Sequence, residues 1–185
     1  MNKRLERLYE RYQSDPAFAH LREQANFVPG VGHEDSPPLF LIGEAPGRNE
    51  NARRLPFVGR AGDILDWMLS VIGVLRDEVW ITNAVKFRPP HNRTPEIVEI
   101  DASRDYLRQE ARIIKPMLIV PMGLAALKLV RPEATTMRAW HGKPLYDPKK
   151  IAVFPLYHPM FVGYGGRAAK RIMKADCQRI REMLL

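Results

Sequence analysis

The sequence predicts an α/β fold, a three-layer α/β/α sandwich around a central, mainly parallel sheet of four strands. Short apolar runs with the length of buried strands alternate with segments of helical spacing four times along the chain. The first run, LFLIG, is continuously apolar, as expected for a strand covered by helices on both faces of the sheet. Alternation of this kind is typical of strands joined by helical crossovers.

The elements follow in order along the chain. Strands are predicted at 39–43, 79–85, 117–123 and 151–157, and helices at 61–73, from a cap at Thr94-Pro95-Glu96 to about Lys115, at 125–130 and at 168–185. Ahead of the sheet, an N-terminal helix, a second short helix (16–24) and a loop (25–37) are expected, and the stretch after the first strand is expected to be a long loop. With no repeat and no linker, we expect one domain over 1–185, with 1–37 as a helical lead-in.

The charge balance favours a polyanionic partner. The 185 residues contain 29 Lys and Arg against 21 Asp and Glu, a formal net charge of +8. An excess of this size on a small protein attracts nucleic acid through counterion release. A net positive charge alone would fit a basic protein without such a partner equally well. Binding to nucleic acid is therefore predicted only together with residues that could form a binding site.

Cysteine content and hydropathy limit the kinds of structural site and the cellular environment that the sequence predicts. Cys177 is the one cysteine, which excludes an internal disulfide and a zinc site built mainly of thiolates. The N-terminal segment is charged throughout, and no stretch approaches the roughly 18 uninterrupted apolar residues of a spanning helix. We expect a monomer that works inside the cell in contact with DNA and not with a membrane.

Three loops follow predicted strands and carry the polar motifs. They read GEAPGRNEN (43–51) continuing to PFVGRAG (56–62), TNAVKFRPPHNRTP (82–95) and YHPM (157–160). In open parallel sheets, reactive sites lie beyond the carboxyl ends of the strands, so these loops are the expected place for chemistry. A glycine-rich loop by itself would also fit a phosphate cradle, but neither a Lys-Ser/Thr ending nor GxGxxG spacing is present.

Together the three motifs resemble those of family-four uracil-DNA glycosylases, over about residues 38 to 160 and in the same order. The resemblance implies an enzyme that flips uracil out of DNA and hydrolyses its N-glycosidic bond, leaving an abasic site. DNA containing uracil is then the expected partner.

The resemblance assigns base recognition to five residues. Phe57 would stack on the flipped base, although a phenylalanine in such a loop is often only a core plug. Asn83 would accept from uracil N3–H and donate to O4, a match that cytosine inverts, and its alternative is an asparagine that braces a loop. Gly43 and Ala45 would bring backbone N–H groups close to the base, and Glu50 would exclude thymine unless it simply faces solvent.

Two residues are expected to act on the glycosidic bond. His158 would donate to uracil O2 as the leaving base gains negative charge, whereas a lone histidine is more often structural. Glu44 would stabilise positive charge on the deoxyribose and orient water. Ala45 stands where some other families of the superfamily carry aspartate, which leaves open whether Glu44 activates water or only positions it.

Basic and apolar residues beside the motifs are the expected DNA contacts, although about half of the charges on the closing helix are expected to be ordinary solvated ones. The basic candidates are Lys86, Arg88, His91 and Arg93 in the second loop and Arg167, Lys170, Arg171, Lys174, Arg179 and Arg181 in the closing helix. The apolar wedge that fills the gap left in the DNA by the flipped base is expected to consist of Met160, Phe161, Val162 and Tyr164.

One feature of the resembling family is missing. Its members usually hold an iron–sulfur cluster with four cysteines, but Phe87 occupies the third of these positions, the fourth falls at about Ser103, and residues 14–28 contain no cysteine. We therefore expect no cofactor and no metal, with apolar packing around Phe87 in place of the cluster. Met160 also departs from the serine or alanine that is usual in the third motif.

Two other functions fit part of the pattern. A DNA-binding module that keeps the pocket without turnover would carry the same motifs. A nucleotide-handling α/β hydrolase would depend on a metal, for which the sequence offers no obvious carboxylate cluster.

Overall fold

The computed structural model describes residues 2–146 and 151–185. Within these ranges the chain forms seven α-helices and six strands, together with four short 3₁₀ helices. The helices are α1 (Lys3–Ser14), α2 (Ala19–Arg22), α3 (Arg48–Arg53), α4 (Arg60–Ile72), α5 (Ile97–Ile114), α6 (Leu124–Val130) and α7 (Met160–Leu184). The strands are β1 (Val31–Gly32), β2 (Leu39–Gly43), β3 (Trp80–Asn83), β4 (Leu118–Pro121), β5 (Leu145–Tyr146) and β6 (Ala152–Val153).

The strands form one sheet in the order β1-β3-β2-β4-β6-β5. The four central strands are parallel neighbours, which confirms the predicted four-stranded parallel core. Two antiparallel edge strands, β1 and β5, extend the sheet beyond the prediction. Each contributes only two residues, too few to produce a periodic signal in the sequence.

Helices cover both faces of the sheet, as the continuous apolar strands predict. On one face, α4 and α7 pack against alternate side chains of the central strands such as Leu41 and Val120. On the other face, α1, α5 and α6 pack against the intervening side chains, including Phe40 and Ile119. The result is the predicted three-layer arrangement, in which each face of the sheet is buried under helices.

Helix boundaries follow local chemistry. Helix α4 ends at Gly73, which adopts the left-handed conformation that terminates many helices. Helix α5 begins with a capping box in which Glu96 and Glu99 bond each other's backbone. Both helices lie within two residues of their predicted bounds.

The structure adds two helical segments to the prediction. The sequence predicts a loop after β2, but this stretch contains α3, whose six residues bury no side chain and therefore show no apolar period. The closing helix predicted from 168 is present in α7, which is interrupted at Gly166 (φ 59°, ψ −145°). A further helical segment from Met160 precedes this break, and its glycines mask helical periodicity. None of the helices in the described ranges is long and apolar enough to cross a membrane.

Candidate active site

The neighbouring ends of β2 and β3 place Gly43 and Asn83 side by side. Backbone pairing continues past the strands, since the N–H groups of Ala84 and Val85 donate to the carbonyls of Gly43 (2.9 Å) and Glu44 (3.1 Å). A Cβ on Gly43 would lie within 3 Å of both Asn83 Oδ1 and the Phe57 ring. Glycine at this position therefore lets the amide and the aromatic ring approach the strand end together.

The Phe57 loop is held in a strained conformation from two sides. Phe57 is buried and has a φ of 53°, a region that non-glycine residues rarely occupy. The Glu50 carboxylate accepts from the N–H groups of Val58 (3.0 Å) and Gly59 (2.9 Å), and Arg76 donates to the Phe57 carbonyl (2.7 Å). Backbone strain that its surroundings enforce is typical of functional sites.

His158 follows β6 and is positioned by the first turn of α7. Its carbonyl accepts from the Phe161 N–H at 2.8 Å, and its Nδ1 accepts from the Met160 N–H at 3.3 Å. Burial lowers the pKa of His158 to about 4, so the imidazole is neutral at neutral pH. With Nδ1 engaged as an acceptor, Nε2 carries the proton of the neutral ring.

Glu44 is a half-buried carboxyl at the end of β2. Burial raises its pKa, and a hydrogen bond with the Thr94 side chain acts in the opposite direction. Thr94 lies just before α5, so the second motif loop supplies the partner of a first-motif carboxyl. The carboxylate is therefore oriented but remains easier to protonate than that of a free glutamate.

These side chains surround one cavity of about 360 Å³. Its volume lies in the range of small-molecule binding sites. The lining consists of Glu44, Ala45, Gly47, Glu50, Phe57, Ala61, Asn83, Asn92, His158, Met160 and Tyr164. All three predicted motif loops therefore contribute to the cavity. The Phe57 and His158 rings flank it with centroids 6.3 Å apart and planes inclined by 29°.

Comparison with known proteins identifies relatives of most of the chain. The family model described as the uracil DNA glycosylase superfamily matches residues 29–180. The chain belongs to this superfamily. A Type-4 uracil-DNA glycosylase of Sulfurisphaera tokodaii is 39% identical over 170 residues, which cover 88% of this chain and 76% of that protein. The Type-4 enzymes of Archaeoglobus fulgidus (38%, covering 88% and 84%) and Thermotoga maritima (34%, covering 87% and 84%) are similar over the same extent.

Lys86 does not lie where the superfamily resemblance led us to expect a DNA contact. Its side chain is buried, with Nζ 2.7 Å from Glu110 Oε2 and 2.5 Å from Thr82 Oγ1. Glu110 also accepts from the Tyr9 hydroxyl and the Trp80 indole N–H. The ammonium is thus part of an internal polar network, and Lys86 is removed from the predicted phosphate contacts.

The other side chains predicted to contact DNA differ in their exposure and in the hydrogen bonds and ion pairs that they already form within the protein. Arg167 is exposed, whereas Arg88 bonds Asn92 (2.6 Å) and Arg93 forms a two-point ion pair with Glu99. Their contributions to DNA binding stay predictions. Phe161 stacks on Tyr157 with centroids 4.0 Å apart and packs against the core, so it is not a free wedge. Tyr164, by contrast, is 82% exposed at the cavity.

Sequence reasoning missed three residues of the site. The sequence pattern predicts only a helix-cap role for Thr94, which lies within the second motif loop, whereas in the structure its side chain bonds Glu44. Asn92 lines the cavity from the same loop. Arg76 holds Phe57 from 19 residues further along the chain, and no local pattern connects the two.

The residues present do not fit an iron–sulfur cluster of the kind that the resemblance implies. Cys177 is the one thiol of the chain and is buried between α7 and the sheet. Phe87 is buried among aromatic rings, and the Ser103 hydroxyl is 2.9 Å from the Tyr12 hydroxyl. Residues 2–146 and 151–185 contain no group of three or more His, Cys, Asp or Glu side chains placed to hold a metal ion.

Proposed function

We propose that this chain is a uracil-DNA glycosylase, which flips uracil out of DNA and hydrolyses its N-glycosidic bond to leave an abasic site. The observation that carries the proposal is the single cavity lined by Phe57, Asn83 and His158 in a chain whose relatives are Type-4 uracil-DNA glycosylases. An aromatic face stacks on an everted pyrimidine, an amide reads its hydrogen-bonding edge, and a neutral imidazole donates a hydrogen bond to its carbonyl oxygen.

Base selection rests on the Asn83 amide. Its oxygen accepts from uracil N3–H while its nitrogen donates to O4. Cytosine presents an amino group and a bare ring nitrogen at these positions, which would leave buried polar groups unpaired, a mismatch that such sites reject strongly. Phe57 stacks on the base, and the backbone around Gly43 and Ala45 forms its close boundary. Glu50 serves mainly to hold the Phe57 loop, because its carboxylate is already bound to two backbone N–H groups.

During bond cleavage, His158 and Glu44 stabilise charges of opposite sign, on the leaving base and on the sugar respectively. As the bond breaks, negative charge develops on uracil O2, and the His158 Nε2–H donates to that oxygen more strongly than in the bound ground state. The deoxyribose becomes positively charged, and the Glu44 carboxylate stabilises it and orients the attacking water. Thr94 keeps the carboxylate in place.

We further propose that the protein works without an iron–sulfur cluster, as a monomer in which residues 1–185 act as one domain. The chain's single cysteine supports the first point, since such clusters are held by several thiolates. The proposed substrate places the protein beside the DNA inside the cell.

The direct test uses a labelled oligonucleotide with one uracil and a matched one with thymine at that position. After incubation with the protein, alkali cleaves abasic sites, so we expect strand breaks in the uracil oligonucleotide only. An oligonucleotide that is bound but stays intact would contradict the proposal and favour a pocket-bearing DNA-binding module.

A further inference from the structure

A second basic site lies between α1 and α5, outside the candidate active site. The two helices border a shallow cavity of about 290 Å³ whose charged lining is entirely basic. Its lining consists of Arg4, Arg7, Leu8 and Arg11 from α1 and Gln109, Arg112 and Ile113 from α5. We call this cavity, defined by its four arginines, the arginine cleft.

Charge on α1 is segregated in a way that packing does not require. Glu6 and Glu10 lie on the other flank of the helix, where they line a different cavity. In the described parts of the chain, Arg4, Arg7 and Arg112 form no ion pair. Like charges spaced three and four residues apart on a helix repel one another, so this arrangement costs stability unless an anion is bound.

The arginine cleft is remote from the catalytic cavity. Thr94, which bonds Glu44, lies just before the first turn of α5, whereas Arg112 lies in its last turn. With a rise of about 1.5 Å per residue, the two ends of this helix are separated by roughly 22 Å between Ile97 and Arg112. A ligand in the cleft therefore leaves the cavity open.

We propose that the arginine cleft binds backbone phosphates of DNA away from the flipped nucleotide, an inference that rests on the proposed function. Guanidinium groups match phosphate oxygens in charge and in hydrogen-bond geometry. The apolar part of the lining is limited to Leu8 and Ile113, which offers little to anchor the side chains of an acidic peptide. A phosphodiester backbone needs no such anchor.

The test compares two charge-matched double variants. R7A/R112A removes two charges from the arginine cleft, and R138A/K143A removes two exposed charges from the segment after α6. Binding of a long, labelled, uracil-free duplex is measured over a series of salt concentrations. The slope of log K against log salt is negative, and for R7A/R112A we expect its magnitude to decrease by about 1.8, since each lost phosphate contact removes about 0.9. The control variant should keep the wild-type slope.

Excision from a short single-stranded uracil oligonucleotide at saturation should be unchanged in R7A/R112A, because such a substrate reaches only the catalytic cavity. Equal slopes for the two double variants would overturn the proposal, and binding of an acidic partner protein would then be the remaining use of the cleft. Failure of the wild-type protein to excise uracil would refute the proposed function instead, and the slopes would still decide whether the cleft binds DNA.

Discussion

The chemistry of the site depends on the protonation state of His158. Burial lowers the pKa of its imidazole to about 4, whereas an unperturbed histidine has a value of 6.5. A neutral ring whose Nδ1 accepts from the Met160 N–H presents Nε2–H as a donor. A donor that needs no protonation works throughout the neutral range. The same burial makes the folded chain less stable as pH falls from 6.5 towards 4, because only the unfolded state takes up the proton.

A pH profile of single-turnover uracil excision checks this assignment. The rate should show no inflection near pH 6.5, and it should fall only at lower pH, where Glu44, whose pKa burial raises, and then His158 become protonated. In Glu44→Gln the slower rate should lose the first of these two steps and keep the second. An inflection near 6.5 that persists in Glu44→Gln would contradict the assignment of His158 as a buried, neutral imidazole.

Individual site residues could be predicted from the sequence where they belong to short motifs. Glu44, Phe57, Asn83 and His158 were predicted from motifs in the loops after predicted strands and from the family resemblance that these motifs carry, and the structure brings the four residues around one cavity. Lys86 was predicted wrongly because residue type assigns a lysine to the surface, while its ion-pair partner Glu110 lies on a different element. Contacts between distant parts of the chain leave no local pattern.

At the scale of elements, the N-terminal segment is fastened to the sheet by aromatic packing. Phe87 lies within ring-stacking distance of Tyr12 (6.0 Å), Phe18 (6.4 Å) and Phe27 (5.7 Å) between centroids. The Tyr12 hydroxyl accepts from the Lys86 N–H, which ties α1 to the loop after β3. This cluster holds together the segments that carry cysteines in the resembling family.

Phe87→Ala should therefore destabilise the fold by about 3–5 kcal/mol, the usual cost of removing a buried phenylalanine. Urea unfolding measures the loss, and Leu75→Ala at an exposed position is the matched control, with an expected change below about 0.5 kcal/mol. The wild-type unfolding midpoint should be the same with and without an iron chelator. A midpoint that falls on chelation would contradict the packing account.

Long elements with a buried face were predictable, and short or polar ones were not. Helices α4 and α5 carry apolar side chains at helical spacing, and β2 and β4 are continuously apolar. Strand β6 pairs over only two residues, but it lies within the longer apolar run predicted at 151–157. Helix α3 buries no side chain, and β1 and β5 pair over two residues each, so they exist only through tertiary contacts. The N-terminal part of α7 was missed because its glycines oppose helix formation in isolation.

For the molecule as a whole, sheet topology is what assembles the site. Parallel order places the ends of β3, β2, β4 and β6 on one edge, so motifs that are far apart in sequence meet there. Gly123, with a φ of 94°, follows β4 and packs against His158, where a Cβ would lie 3.2 Å from the histidine Cβ. The order of motifs predicted that these loops converge, but the distances between side chains depend on packing across the sheet.

The most direct test of this account is the single-turnover rate of uracil excision by His158→Ala, with the exposed His33→Ala as the matched control. If the imidazole stabilises charge on the leaving base, the rate should fall by about 10²–10³-fold in His158→Ala and stay at the wild-type value in His33→Ala, with both variants folded. A His158→Ala protein that excises uracil at the wild-type rate would contradict it.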